Sequence, residues 1–462
     1  MRVKASKSAG RFDVTDDGRG LENRAGMALP AQVANHVGLT GGLRRALSGV
    51  RSWRDHDPGV VARDVAVMLV DGGDCVSDLA ARDPELFGEH PGQATASQPT
   101  AWRTLEAIAD DDLALTRGEA VLGQVRAHVW GLPGGAPPVL AQAGEPLCVD
   151  LDATLVTAHS EKDGAAGTYK GTFGYHPDLA FVDRGDGTGE ALAGLLRPGN
   201  AGSNTAADHI ELLDAALAGL PGLDGGTEVV VRGDAGYAVK DFLAHARARG
   251  CRFSVGFEIT EAIKTAIRAL PESAWQPALT PDGSERDRAH VVELTDTVAL
   301  PPGWPQGARL IVRREPPHPG AQQTIDDLDG CRFTAVLTDQ ADADIVALER
   351  RHRARARAED RIRALNQLGM ANLPCGEFAR NAVWLQLTLI ALNLLAWTQG
   401  LTLDGELARA EPKRFRYQLG HVAARVTRSA RRTTLHLADT WRWTPELLAG
   451  FAWLRALPPA PT

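Results

Sequence analysis

Two hydrophobic periods alternate along this chain, and the switches between them mark its organisation. From Val60 to Val70 the apolar positions fit a helix. Val76 to Arg82 and Gln98 to Ala109 predict two shorter helices, the second with Ser97 as N-cap and Pro99 in its first turn. Three short helices in series have the form of a helix-turn-helix-like unit. A longer helix over Leu113 to Val129 runs into Gly131 to Pro138, where Gly and Pro mark a boundary. Ahead of all these, residues 1–55 are rich in Gly, Arg and Asp with weak periodicity, which predicts a partly ordered arm.

Past the boundary, strands enter. PLCVDLDATLV (Pro146 to Val156) is apolar and β-branched, followed by a hairpin through Tyr169 to Tyr175 and a strand at Leu179 to Val182. Helix Ala206 to Leu220, strand Thr227 to Arg232, helix Ala238 to Arg249 and strand Cys251 to Gly256 continue the alternation. Such a series predicts an α/β core, a mixed sheet with helices on both faces. The Pro-rich segment 270–330 interrupts it with strands at Ala289 to Leu294 and Ala308 to Arg313, a β-rich insertion. The core resumes with strand Cys331 to Leu337 and a helical stretch from Ala343 to about Ala371. Helices over Phe378 to Leu401, Arg414 to Arg425 and Pro445 to Leu457 predict an all-α C-terminal region. The expected division is therefore an arm (1–55), a helical domain (56–140), a core in two parts (141–269 and 331–375) around the insertion (270–330), and a helical end (376–462).

Composition narrows the classes. With 462 residues, 44% hydrophobic and 23% charged, the chain is neither disordered, collagen-like nor a multispanning membrane protein. Ala382 to Thr398 is apolar enough to raise the membrane question, but Gln386 and Asn393 fall on one helical face, which predicts a buried helix and no membrane partner. Five scattered cysteines without a CxxC pair, and no apolar segment behind the basic N-terminus, predict a reducing, cytoplasmic location. The net charge of −8 conceals an asymmetry: residues 350–363 carry a local +5 and residues 409–432 a local +7. Local potential attracts a polyanion whatever the total, although a solvated Arg-rich helix face has the same composition.

Acidic residues at the ends of buried strands are expensive unless hydrogen-bonded or metal-bound. Asp150 and Asp152 alternate on the first core strand and so share a face. Asp234 follows the TEVVVR strand in GDAGY, among small neighbours. Glu359 lies on the Arg-rich helix. Carboxylates from two strands and a helix can hold two Mg²⁺ ions about 4 Å apart for phosphodiester chemistry, with Mn²⁺ able to substitute.

The order Asp152, Asp234, Glu359, with a β insertion before the Glu helix, resembles the DDE transposases of bacterial insertion sequences, which have an RNase H-like fold. His352-x2-Arg355-x3-Glu359-x6-Asn366 is similar to that superfamily's Tyr-x2-Arg-x3-Glu-x6-Lys signature, with His and Asn standing for Tyr and Lys. KGTFGYHP (Lys170 to Pro177), LRPGNAGS (Leu196 to Ser203), RGDAGY (Arg232 to Tyr237) and AEDRI (Ala358 to Ile362) resemble most closely the 1380 family of those elements. VSDLAARDPELFG (Val76 to Gly88) and SQPTAWRTLE (Ser97 to Glu106) resemble its N-terminal region.

The resemblance implies a nucleoid-associated enzyme that binds terminal inverted repeats through its N-terminal helices, cleaves at the element ends and joins them to target DNA as a homodimer. It makes Asp152, Asp234 and Glu359 the catalytic metal ligands, with Asp150 as second choice. Arg355, Lys170, His352, Asn366, Arg363 and Tyr237 become DNA contacts, with Arg361 another stand-in for the missing Lys and Trp275 and Trp304 further stacking candidates. Two other readings stand beside it. Asp150-Leu151-Asp152-Ala153-Thr154 also fits the nucleophile motif of haloacid-dehalogenase-like phosphatases, with Asp150 forming an aspartyl-phosphate. A DNA-binding protein without chemistry is the other.

Overall fold

A computed structural model describes residues 19–53, 55–81, 95–223, 226–317, 330–429 and 432–461. Its centre is a nine-stranded mixed sheet. The strands are β1 (Leu147–Ala153), β2 (Asp178–Asp183), β3 (Gly189–Leu195), β4 (Val229–Gly233), β5 (Arg252–Phe257), β6 (Gln276–Leu279), β7 (Glu285–Glu293), β8 (Arg309–Glu315) and β9 (Arg332–Thr338). They lie in the order β6-β7-β8-β9-β5-β4-β1-β2-β3. β1 to β3 form an antiparallel meander, while β4 and β5 join parallel to β1. This is an RNase H-like sheet. The expected insertion does not stand apart, because β6 to β9 extend the same sheet antiparallel from β5.

Helical regions flank the sheet at both ends of the sequence. Ala28–His36 (α1), Leu39–Leu47 (α2) and Pro58–Val70 (α3) come first, then Gln98–Ala109 (α4) and Ala114–Trp130 (α5). α3 starts where its sequence says it should: Pro58 takes the first turn and the Asp57 Oδ1 accepts from the Gly59 and Val60 amides at 2.8 and 3.3 Å. Every residue of α3 is buried. Where weak periodicity predicted an arm, α1 and α2 are ordered helices whose Leu29, Val33, Leu39 and Leu43 sit in the main core. The Val76 to Gly88 stretch lies partly outside the described residues, and its described part forms a single 3-10 helix, Val76–Ala81.

The expected helical stretch after β9 is real but segmented. Ile345–Arg353 (α6) and Arg357–Leu365 (α7) are joined by the 3-10 turn Ala354–Ala356. The run ends at Gly369, whose φ of +95° only glycine adopts freely and whose missing Cβ would stand 2.6 Å from Leu69. Phe378–Thr402 (α8) is long and apolar enough to span a membrane, yet it packs against α1, α3, α4 and β3. The two polar residues expected on one face are used on the same strand. Gln386 Nε2 donates to the Gly194 carbonyl at 2.9 Å, and Asn393 accepts from the Ala191 amide at 2.8 Å while donating to its carbonyl at 2.9 Å. Asn393 thus pairs with β3 as a further strand would.

The C-terminal region is not wholly helical. The helix expected over Arg414 to Arg425 ends at Gly420, and β10 (Ala424–Ser429) and β11 (Arg432–Leu437) follow as an antiparallel ribbon, edged along β10 by the two-residue strand Leu21–Glu22, before the last helix, Thr444–Ala456. The reason is legible afterwards: Ala424, Val426, Leu435 and Leu437 alternate with polar residues, a period of two that the dense Arg content disguises. Asn393→Leu leaves the buried Ala191 amide without an acceptor and is expected to lower unfolding free energy by about 1–3 kcal/mol, read by chemical denaturation; an unchanged midpoint would show that this pairing carries nothing.

Candidate active site

The parallel neighbours β1 and β4 set the site. Their register puts Asp150 opposite Arg232, so Asp152 and Asp234 reach the same C-terminal edge of the sheet. Leu147, Val149 and Leu151 point to the other face and join the core beneath. Asp150 and Asp152 therefore share the face covered by α6 and α7, but they do different things.

Asp150 is a structural counter-ion. Arg232 donates from Nε to its Oδ1 at 2.6 Å and from Nη2 to its Oδ2 at 2.8 Å. The same Nη2 reaches Asp183 Oδ2 at 2.8 Å, and Nη1 donates to the Arg351 carbonyl at 2.6 Å. Arg357 adds a contact to Asp183 at 3.3 Å. Burial alone would raise the Asp183 carboxyl, but Arg232, the Gly185 amide and Arg357 outweigh it and hold it below its usual range. With both oxygens of Asp150 occupied, it is neither a free metal ligand nor an aspartyl nucleophile. β1 moreover pairs antiparallel with β2 and so departs from a doubly wound phosphatase core.

Asp152, one pleat further along, is 9% exposed and faces the acids of the other elements. Arg355, in the turn between α6 and α7, brings Nη1 to 3.4 Å from its Oδ2. Burial pushes the Asp152 carboxyl up to about 6; Arg355 opposes this, while the charges of Asp234, Glu359 and Asp150 add to it. Asp234 is exposed and caps the turn Ala235–Tyr237, its Oδ1 accepting from the Gly236 amide at 2.9 Å. Glu359 is exposed in the first turn of α7, which Ala358 and Ile362 anchor in the core. Three carboxylates from two strand ends and a helix thus share one electrostatic neighbourhood, without their oxygens being drawn within 4.8 Å of one another. Among the described residues that compactness belongs to Asp74, Cys75 and Asp78, where the Asp78 carboxylate is already occupied by the Asp74 and Cys75 amides.

The expected DNA contacts divide. Lys170 is exposed at a turn, its Nζ 5.6 Å from the Tyr169 ring, and the Tyr169 ring in turn lies 5.8 Å from that of His176. Asn366 is exposed two turns beyond Glu359. Arg363 is exposed but engaged by Asp360 at 2.9 Å and Glu411 at 3.4 Å, and Arg361 donates to the Gly187 carbonyl. Two expectations fail. Tyr237 is 2% exposed, donates its hydroxyl to Asp178 and stacks on His209 at 4.2 Å, so it cannot meet DNA. His352 turns inward to Ser254, 3.0 Å from Nδ1, and burial with the nearby Arg355 and Arg232 drives its pKa down to about 3, leaving a neutral ring that packs α6 onto β5. Trp275 is likewise buried, and Trp304 packs edge-on against Phe257.

Sequence reading overlooked the Arg232 hub and the roles of Asp178 and Arg197, around which Tyr237 and His209 are buried. Arg197 Nη1 lies 3.6 Å and His209 Nε2 3.9 Å from Asp178 Oδ2. Asp178 and Asp183 bracket β2 as DLAFVD, and acids at both ends of so apolar a strand were the available signal.

The raised pKa of Asp152 has a sign. Its ionisation opposes folding, a penalty absent below about pH 4, growing as pH rises and complete above about 6. In metal-free protein Asp152→Asn is expected to raise the thermal midpoint by about 1–3 °C at pH 7.5, with no gain at pH 4; calorimetry in a chelator checks it, and a lowered midpoint at pH 7.5 would contradict it.

Comparison with known proteins gives three results. No curated protein matches the chain. A solved structure, the piggyBac transposase synaptic complex with hairpin DNA, aligns at 8% identity and a TM-score of 0.44, over 85% of this chain and 78% of that one. The profile of the family described as Transposase DDE domain group 1 matches residues 4–459, nearly the whole length. The chain belongs to the group 1 family of DDE transposase domains.

Proposed function

We propose that this chain is the transposase of a bacterial insertion sequence, binding terminal inverted repeats, cleaving the DNA strands there and transferring the 3′-hydroxyl ends to target DNA. The observation that carries this reading is the common electrostatic neighbourhood of Asp152, Asp234 and Glu359 at one edge of the sheet. The three offer only hard oxygen donors, and a carboxyl raised by burial and by three neighbouring acids fits a place that receives cations. Two Mg²⁺ or Mn²⁺ ions held there would supply the charge that activates the attacking oxygen and neutralises the leaving one.

The chain's own residues do the rest. Asp152 is kept in place by β1 and by Arg355; Asp234 is fixed by its cap on the turn that follows β4; Glu359 is aimed by the buried side of α7. Arg355, beside Asp152, and the exposed Lys170 and Asn366 suit phosphate contacts that would position the scissile bond without reading sequence. The N-terminal helices would recognise the ends, two chains would hold two ends together, and the work would be done at the bacterial nucleoid. The 1380-family motifs around Lys170, Leu196 and Arg232 support the narrower assignment. Retention of all three acids argues for chemistry over binding alone.

Asp152→Asn, Asp234→Asn and Glu359→Gln are each expected to abolish Mg²⁺-dependent cleavage of a duplex carrying the DNA beside the gene, with end binding nearly unchanged and the double variants no worse than the singles. Gel analysis of end-labelled duplex reads it, and any one variant cutting normally removes that residue from the set. Arg355→Ala is expected to reduce the slope of log affinity against log salt by about one; titrations at several salt concentrations decide, and an unaltered slope means that Arg355 meets no phosphate.

A further inference from the structure

The basic run that the acid site leaves unused, residues 409–432, does not form the Arg-rich helix its composition suggests. Its second half enters the β10–β11 ribbon. The two faces of that ribbon differ. Val426, Leu435 and Leu437 are half-buried, the two leucines packing on the main core. The opposite face presents Arg425, Thr427 and Ser429 from β10 and Thr434 and His436 from β11, every one exposed. Arg425 stands across from His436 and Thr427 from Thr434, and the Thr427 hydroxyl lies 2.8 Å from His436 Nε2. Among the described residues the face holds five side chains that donate or accept hydrogen bonds, among them a cation, and no acid, with the exposed Leu21 of the flanking strand beside Arg425.

The ribbon is also braced. Its base is closed by the Ala438 amide donating to the Ala423 carbonyl at 2.9 Å, and Trp441 Nε1 donates to the Gln418 carbonyl at 2.8 Å. Tyr417, Trp441 and Trp443 meet edge to face at 5.3 to 5.9 Å. The segment before it is tied to the end of the Glu359 helix run, where Gln367 accepts from the Lys413 amide at 3.1 Å and from Arg416 at 3.1 Å. A DNA duplex held on the ribbon is thus linked through a short rigid path to the element that carries Glu359.

We propose that the outward face of the β10–β11 ribbon reads base edges in the major groove of the element's end, a sequence-reading surface separate from the phosphate contacts around the acid site. Dimensions support it: six residues of strand reach about 20 Å, and past the short strand Leu21–Glu22, which flanks β10 only at Ala424 and Arg425, the sheet narrows to two strands, the width that a major groove about 12 Å wide and 8.5 Å deep admits. So does chemistry. Arg reads guanine O6 and N7, and Thr and His offer both donors and acceptors to the neighbouring edges. Charge agrees as well, since a +7 segment on a chain of net −8 marks where a polyanion is drawn in. The inference rests on the transposase reading for its partner.

The test measures binding, not cleavage. Full-length protein in Ca²⁺ is titrated with duplexes spanning the DNA on each side of the gene and with scrambled duplexes of equal composition, for wild type, Thr427→Ala/His436→Ala and Arg425→Ala. The double variant is expected to lose about tenfold or more of the preference for flanking over scrambled DNA, while affinity for scrambled DNA stays within about twofold. Arg425→Ala is expected to lose preference too, and N7-methylation of guanines in the flanking duplex to block wild-type binding but not to weaken the double variant further. Unchanged preference in both variants, with wild-type cleavage intact, overturns the ribbon and leaves the transposase reading standing. A wild type that binds no duplex overturns both.

Discussion

Everything at the acid edge hangs on one buried guanidinium. Arg232 is 1% exposed, yet it gathers Asp150 from β1, Asp183 from β2 and the Arg351 carbonyl from α6, with β4 supplying the arginine itself. A buried cation left unpaired would be strongly destabilising, so the register of three strands and the seat of the helix are locked to a single arrangement. One pleat above it stands Asp152, and the helix held by Arg351 leads through Arg355 to Glu359. The hub thus supplies position to groups that pay no part of its cost. Fully paired buried charges beneath a set of acids that face one another nearer the surface are a sound way to pre-organise groups that repel.

The second constraint is the way the helices close over the meander. Glu190 at the start of β3, fully buried, accepts from Arg126 and Arg184 and from the indoles of Trp130 and Trp397. Burial would raise its carboxyl, but the two arginines and two indoles hold it below the usual range. This carboxylate joins α5, the β2–β3 turn and α8, as Asn393 and Gln386 join α8 to β3. An apolar 25-residue helix is thereby fitted to the edge strand of the sheet through polar groups at its contact line.

Much of this was legible from residues whose neighbours in sequence decide their fate. The alternation of Asp150 and Asp152, the position of Asp234 just past an apolar strand and the Glu359 helix signature needed no tertiary information. What could not be read was exposure. Tyr237 and His352 belong to the right motifs but face inward, because their partners, Asp178 and Ser254, come from strands far away in sequence. Asp150 looked like its neighbour until Arg232, 82 positions later, took both its oxygens. α1 looked like part of an arm because burial of most of its residues blurs amphipathic periodicity, and α2 because Gly41 and Gly42 lower helix propensity in a short segment. The ribbon was hidden by arginines that favour a helical reading over the weaker period of two.

The central claim is that Asp152, Asp234 and Glu359 form one cation site. Fe²⁺ substituted for Mg²⁺, with ascorbate and peroxide, generates radicals that cut the polypeptide only beside the bound metal. The account predicts three clusters of cuts, around residues 152, 234 and 359, all suppressed by excess Mg²⁺ and all lost together in Asp152→Asn. Cuts confined to the Asp74–Asp78 turn, or a pattern at the three positions that Asp152→Asn leaves intact, would contradict it.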